Sequence, residues 1–275
     1  VDLGQLDEAV KSYKAALKLK PSFAGAYNKL GSTLLELDQL DESVRSYEAA
    51  LKHKPDYVEA INNLGIAFYK LQKMDDAIRS YERAITLDPD FADAHNNIGI
   101  VYLDLGQLDE AAQSYKAALK LKPEFVEAHY NLGVVLQDLG QIEDAIESYK
   151  DVIDIDKGFF KAHNNLGVAL LDLDQFDEAV KSYKTALELK PDYVEAINNL
   201  GIAFFKLHQL DDAIKCYERA IALDPNFADA HNNIGIVLVD LGQLDEAVKS
   251  YKAALKLKPE FAEPYYNLGA VFQDL

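Results

Sequence analysis

Residues 92–125 read ADAHNNIGIVYLDLGQLDEAAQSYKAALKLKPEF. Apolar side chains recur at helical spacing twice in this stretch, through Ala94, Ile98 and Tyr102 and then through Leu108, Ala111, Tyr115 and Leu119. Gly106-Gln107 interrupts the pattern, as Asp38-Gln39 and Asp174-Gln175 do elsewhere. The second segment opens with Asp109-Glu110, whose charge suits the positive end of a helix dipole. It closes at Lys122-Pro123, where proline lacks a donor and pushes its predecessor out of helical geometry. The stretch therefore predicts two helices joined by a tight turn. Neither can bury its apolar stripe alone, so such units must stack.

The unit recurs with a period of 34 residues. Pro21, Pro55, Pro89, Pro123, Pro191, Pro225 and Pro259 fall on one comb whose only gap is Lys157. Gly31, Gly65, Gly99, Gly133, Gly167, Gly201, Gly235 and Gly269 form a second comb, and Tyr13, Tyr47, Tyr81, Tyr115, Tyr149, Tyr183, Tyr217 and Tyr251 a third. Fixed self-similarity at this period marks a repeat array. The combination Leu64-Gly65, Phe68, Ala77, Tyr81, Ala84 and Pro89 resembles the tetratricopeptide repeat over the whole chain. The resemblance implies an all-α fold, an α-solenoid of tandem helix-turn-helix repeats winding as a right-handed superhelix, with first helices on the concave face. Seven full repeats are expected, at 24–57, 58–91, 92–125, 126–159, 160–193, 194–227 and 228–261, in a single array over 1–275. A lone second helix (1–23) precedes them and a lone first helix (262–275) follows.

A longer period lies above the first. Repeat 58–91 matches 194–227 at 26 of 34 positions and its neighbour 92–125 at only 14, while 92–125 matches 228–261 at 30 of 34. The chain reads as a four-repeat block, duplicated. Repeat 126–159 departs from the rest, with Lys157 in the proline position, Gly158 after it and Val152 where alanine is usual. A softer or differently angled joint is expected at 155–160.

Composition narrows the function. The chain has 46 acidic and 28 basic side chains, a formal charge of −18, with no local cluster of Lys and Arg. Nucleic acid and anionic lipid surfaces are excluded as partners on this count. No apolar run is long enough to span a bilayer. Cys216 stands alone, so no intrachain disulfide framework forms, and a cytoplasmic location fits. The absence of a starting Met reads as a piece of a larger protein.

Several columns invite a chemical reading and are better explained by packing. The glycines are isolated within helices and do not form a phosphate loop. His95, His129, His163 and His231 share one column, but equivalent atoms in successive repeats stand about 8–10 Å apart. A metal needs nitrogens about 2.0–2.1 Å away, so one ion cannot collect two of them. Cys216 lies in a column otherwise filled by serine, with no fixed His partner. Carboxylate pairs such as Asp75-Asp76 and Asp211-Asp212 recur with the period and mark helix starts. No catalytic residues, metal site or cofactor is expected.

Two asparagine columns remain. One contains Asn63, Asn97, Asn131, Asn165, Asn199, Asn233 and Asn267; the column before it contains Asn28, Asn62, Asn96, Asn164, Asn198 and Asn232, with Tyr130 and Tyr266 interrupting. At about 0.5 kcal/mol each relative to alanine, these residues cost the helices on the order of 6 kcal/mol. An amide offers both donor and acceptor and so matches a peptide unit; it could equally bond to its neighbours and tie repeat to repeat. The segments 128–141 and 162–170 resemble the repeat arm of the protein O-GlcNAc transferases, and that resemblance implies an asparagine ladder facing a ligand. Around the ladder lie acidic helix starts (Glu59, Asp93, Glu127, Glu195, Asp229, Glu263), then Ile66, Ile100, Val134, Val168, Ile202 and Ile236, then Tyr69, Leu103, Leu171, Phe205 and Val239.

The expected function is a non-catalytic scaffold that binds an extended peptide or partner protein in this asparagine-lined groove, with both columns as ligand contacts. The alternatives are the substrate-recruiting arm of a larger enzyme such as a protein O-glycosyltransferase, and a self-assembling array. The array reading rests on the ends, where Leu6, Val10 and Leu17, and Leu268, Val271 and Phe272, are expected to lie uncovered and to allow head-to-tail association.

Overall fold

A tight turn of one recurring form joins the helices of each pair. In the computed structural model Leu105 ends a helix, Gly106 turns with φ 72°, and Gln107 N–H reaches back to the Tyr102 carbonyl at 2.8 Å while Gly106 N–H reaches Leu103 at 2.9 Å. This is a Schellman closure, with a left-handed residue just past the helix end. The structure describes residues 3–274. Val1, Asp2 and Leu275, at the ends of the two expected lone helices, lie outside the described residues.

Two units divide the chain, Val1–Leu139 and Gly140–Leu275. The first contains α1 (Leu3–Leu19), α2 (Ala24–Glu36), α3 (Leu40–His53), α4 (Val58–Lys70), α5 (Met74–Leu87), α6 (Ala92–Asp104), α7 (Leu108–Leu121) and α8 (Val126–Asp138). The second contains α9 (Ile142–Ile155), α10 (Phe160–Asp172), α11 (Phe176–Leu189), α12 (Val194–Lys206), α13 (Leu210–Leu223), α14 (Ala228–Asp240), α15 (Leu244–Leu257) and α16 (Ala262–Asp274). The only regular secondary structure among the described residues is α-helix, as the period predicts. In unit 1, α2–α3, α4–α5 and α6–α7 form hairpins, each second helix packs on the next first helix, and α2, α4, α6 and α8 stand side by side. Unit 2 repeats the scheme, with hairpins α10–α11, α12–α13 and α14–α15 and first helices α10, α12, α14 and α16 adjacent.

Each hairpin is locked by a glycine beneath a tyrosine ring. A Cβ on Gly99 would lie 2.7 Å from the Tyr115 ring, and one on Gly65, Gly167, Gly201 or Gly235 would lie 2.6 Å from Tyr81, Tyr183, Tyr217 or Tyr251. Those tyrosines are almost wholly buried, and Ala77, Ala84, Ala111 and Ala118 flank two of them at 0% exposure. The bulk of a buried aromatic ring is thus accommodated by removing a side chain opposite it, which draws the paired helices together.

The longer turns between repeats come in two chemistries. Where the helix ends in Lys-Pro, the ammonium lies over the next aromatic ring, as with Lys54 over Tyr57 at 4.5 Å and Lys122 over Phe125 at 4.1 Å. Where it ends in Asp-Pro, the carboxylate accepts the N–H two residues on, as Asp88 does from Asp90 at 3.2 Å and Asp224 from Asn226 at 2.9 Å.

The joint expected at 155–160 does not differ in form. Asp156 leaves α9 at φ −128°, ψ 94°, against −131° and 95° for Asp224, and accepts the Gly158 N–H at 2.9 Å. An Asp turn closes the same way without proline. The boundary between the units lies elsewhere in that repeat, at Leu139/Gly140. The apolar ends also need correcting. Leu17, Leu268 and Val271 are buried against their neighbours, and the large apolar side chains left exposed are Leu19 on α1 and Tyr265, Tyr266 and Phe272 on α16.

Two substitutions at neighbouring columns have opposite signs. Gly99→Ala gains helix propensity but forces the Tyr115 ring aside, and should destabilise unit 1 by about 1–3 kcal/mol in chemical denaturation. Gln72 holds φ 59° in the turn where Gly106 stands one repeat later. Gln72→Gly should stabilise the protein by about 1 kcal/mol by the same measurement.

Candidate functional site

The first helices of each unit carry the asparagines side by side, and the two columns differ in burial. Asn62, Asn96, Asn164, Asn198 and Asn232 are each 5% exposed, and Asn28 is 2% exposed. Asn63, Asn97, Asn131, Asn165, Asn199, Asn233 and Asn267 are half-buried, at the surface of the same helices. The outer residue of one repeat donates to the inner residue of the repeat before. In unit 1 Asn63 Nδ2 reaches Asn28 Oδ1 at 3.2 Å, and Asn97 Nδ2 reaches Asn62 Oδ1 at 3.0 Å. In unit 2 the rungs are Asn199 to Asn164 at 3.2 Å, Asn233 to Asn198 at 3.0 Å and Asn267 to Asn232 at 3.2 Å. The inner column is therefore a set of largely buried acceptors bracing adjacent first helices, and the outer column is the more open of the two.

One rung is missing. Asn96 Oδ1 is buried without a hydrogen-bond partner, although Asn131 occupies the position from which the other rungs are donated. The repeat that carries Asn131 is the one with Tyr130 in place of the inner asparagine.

Two hollows open over the outer amides. In unit 1 a hollow of about 430 Å³ is lined by Asn62, Asn63, Asn97, Ile66, Phe91 and Asp93, with Glu59 and Lys29 at its edge. In unit 2 one of about 520 Å³ is lined by Asn198, Asn199, Asn233, Ile202, Phe227 and Asp229, with Glu195, Glu263 and Phe261 completing it. Amide, branched aliphatic and carboxylate meet in each, as the column order implies. The aromatic residues were not legible as groove residues. Phe91, Phe227 and Phe261 are the last residues before α6, α14 and α16, two positions after the proline, and that fixed offset is the signal that could have placed them.

Further along the first helices, Tyr69 donates its hydroxyl to Asp104 Oδ2 at 2.5 Å. Burial and this carboxylate together push the Tyr69 phenol up to about 12. Tyr69 lies in the column expected to be an apolar stripe, and the bond fixes its ring against α6.

The tempting reactive groups are occupied. His95 Nε2 donates to the Pro89 carbonyl at 3.0 Å, and His129 to Pro123 at 2.8 Å. His231 reaches Pro225 at 3.4 Å. Burial lowers the His163 pKa, while a hydrogen bond to the Lys157 backbone opposes that shift. The histidine column thus ties the longer turn to the helix it precedes, which is a packing role. Burial pushes the Cys216 thiol up to about 11, far from the range of a nucleophilic thiolate. Among the described residues no group of three or more His, Cys, Asp or Glu could hold a metal, and no helix is long and apolar enough to cross a membrane.

A row of helical hairpins recurring every 34 residues defines a helical repeat protein. The family model described as TPR repeat matches residues 1–38, 31–72, 67–106, 101–140, 167–208, 203–242 and 237–275, and the one described as Tetratricopeptide repeat matches 126–159. The chain belongs to the tetratricopeptide repeat family. Among solved structures it is similar to MamA, at 34% identity and a TM-score of 0.55 over 60% of this chain and 97% of that one. It is also similar to a chain of the APC/C hetero-tetramer Cut9-Hcn1, at 20% identity and a TM-score of 0.69 over 97% of this chain. The chain spans about half the length of that relative, 52%. YrrB, titled a TPR protein with an unusual peptide-binding site, aligns at 22% identity and a TM-score of 0.61 over 68% of this chain and 96% of that one. Comparison with the curated proteins finds no match.

The inner column is open to a stability test. Asn198→Ala removes the acceptor of Asn233 and leaves a partly buried N–H unpaired, which should cost about 1–2 kcal/mol in urea unfolding.

Proposed function

We propose that the first-helix faces hold an extended segment of a partner protein, gripped by its backbone through the outer asparagines. The observation that carries this reading is the division of labour between the columns. Asn63 and Asn97 use one N–H on a rung and retain a second N–H and the carbonyl oxygen, which together match one peptide unit. Their orientation is fixed before a ligand arrives, because the buried inner amide holds each one in place, and preorganisation lowers the cost of binding. Asn62, Asn96, Asn164, Asn198 and Asn232 then act as positioning residues, a narrower role than ligand contact. Asn131 differs again: with no rung to Asn96 its whole amide is available to a ligand.

The surroundings indicate the segment's chemistry. Ile66 and Ile202 offer apolar contact, Phe91, Phe227 and Phe261 offer ring faces, and Glu59, Asp93, Glu195, Asp229 and Glu263 supply negative charge. A segment with alternating apolar and Lys or Arg side chains meets all three. Histidines bonded to turn carbonyls and a Cys216 thiol pushed up by burial support binding rather than turnover. The resemblance of 128–141 and 162–170 to the O-GlcNAc transferase arm supports the same groove in a substrate-recruiting role.

Asn131→Ala tests the reading cleanly because it breaks no rung. Against an immobilised array of unstructured peptides, the strongest binders should be Lys- or Arg-containing and should weaken as salt rises. Asn131→Ala should lower their affinity roughly tenfold, about 1.4 kcal/mol, with the thermal midpoint unchanged. Equal affinity of variant and parent would return the outer column to a bracing role alone.

A further inference from the structure

One carboxylate has lost its partner between the two blocks. In unit 1 Asp104 accepts the hydroxyl of Tyr69 at 2.5 Å. Their counterparts in the second block are Asp240 and Phe205, which has no hydroxyl to donate. Asp240 enters no hydrogen bond or ion pair among the described residues. Two further differences remove bulk on the same face. Val239 stands where the first block has Leu103, and Ala270 stands where it has Val134. Three substitutions thus take atoms away from the surroundings of one charged group.

A hollow of about 140 Å³ opens there between α14 and α16, lined by Ile236, Val239, Asp240, Asn267 and Ala270, and by the almost wholly buried Tyr251 of α15. The Tyr251 hydroxyl makes no hydrogen bond among the described residues. Burial, with the charge of Asp240 nearby, pushes this phenol up to about 12, so it remains a neutral hydroxyl. Asn267 uses one N–H on its rung to Asn232 at 3.2 Å and keeps its carbonyl oxygen. The hollow therefore brings together a carboxylate, a hydroxyl oxygen and an amide oxygen against an aliphatic wall.

We infer that this hollow is a subsite for one lysine side chain of the bound segment. An ammonium carries three donors, and Asp240, Tyr251 and Asn267 supply three acceptors for them. Ile236, Val239 and Ala270 line the way in for the apolar stem behind the charge. A guanidinium spreads five donors over a rigid plane, more than this set can accept. Asn267 also belongs to the outer asparagine column, so a segment gripped by that amide passes the mouth of the hollow. The subsite takes its lysine from the segment of the groove reading and rests on that reading to this extent.

Solution NMR with labelled valine and alanine methyl groups tests this, using blocked lysine (Nα-acetyl-lysine-N-methylamide) as the probe. The Val239 and Ala270 methyl resonances should shift with added blocked lysine and stay still with blocked norleucine, which has the stem without the charge. Asp240→Asn should abolish the shift. Phe205→Tyr returns a hydroxyl partner to the carboxylate and Ala270→Val returns the first block's bulk, and each should lower the affinity roughly tenfold. Both replacements occupy the corresponding positions of unit 1, so urea unfolding should show the fold intact. Resonances that ignore blocked lysine, or that respond equally in the parent and in all three variants, overturn the proposal. The grip of the outer column fails separately: if the methyls respond as stated while Asn131→Ala leaves peptide affinity unchanged, the lysine subsite stands without it.

Discussion

The contact on which the structure depends is the glycine under the tyrosine ring. It fixes how closely the two helices of a hairpin approach, and the tyrosine is buried so completely that the approach admits little variation. Because the same contact recurs in each hairpin, successive first helices are presented at a constant spacing. A constant spacing is what allows an asparagine to reach the residue 35 positions earlier at 3.0–3.2 Å, rung after rung within a unit. The amide ladder is a downstream consequence of the aromatic lock.

The ladder in turn answers the cost that the asparagines impose on their helices. A rung adds about 1 kcal/mol net, against about 0.5 kcal/mol of lost propensity for each of its two residues, so a completed rung comes close to balancing its pair. The inner residues need no other explanation than this. The outer residues do, because a single N–H satisfies the rung and the rest of each amide faces a hollow. A lysine or glutamine at the outer position would have been a better helix former, so retaining asparagine there fits a role for the remaining donor and acceptor.

Much of the fold was legible because period and packing are written in the same residues. Proline, glycine and tyrosine each punctuate a different part of the unit, and their offsets located the turns and the close helix contact. The carboxylate pairs were legible for the same reason, since a group present in every repeat is read first as structure, and the four in-register histidines were legible because successive repeats hold them too far apart to share one ion. The burial of Asn62 and its column was not legible. It arises from the neighbouring repeat's Asn97, and no local pattern reports which of two adjacent polar residues faces inward. Phe91 and Phe227 were missed because a residue before a helix reads as a turn, although the turn folds it over the groove. The joint at 155–160 keeps the form of the other Asp turns because Asp156 accepts the Gly158 N–H as Asp88 and Asp224 accept theirs.

Specificity has a different source from affinity in such a groove. Under the proposed reading, backbone recognition by the outer amides would be the same in every repeat and would discriminate little between sequences. Under that reading discrimination would come from the columns that vary: Ile66, Ile100 and Val134 in unit 1 and Val168, Ile202 and Ile236 in unit 2 change shape only slightly, whereas Tyr69, Leu103, Leu171, Phe205 and Val239 change size and polarity. Tyr69 is the extreme case, because its hydroxyl is held by Asp104 and its ring cannot turn aside without breaking that bond. Across the internal duplication the two hollows share the counterparts of Glu59, Asn62, Asn63, Ile66, Phe91, Asp93 and Asn97, and they differ in Asn28 and Lys29 at one against Asn232, Phe261 and Glu263 at the other, so a basic edge in one copy is replaced by a ring and a carboxylate in the other.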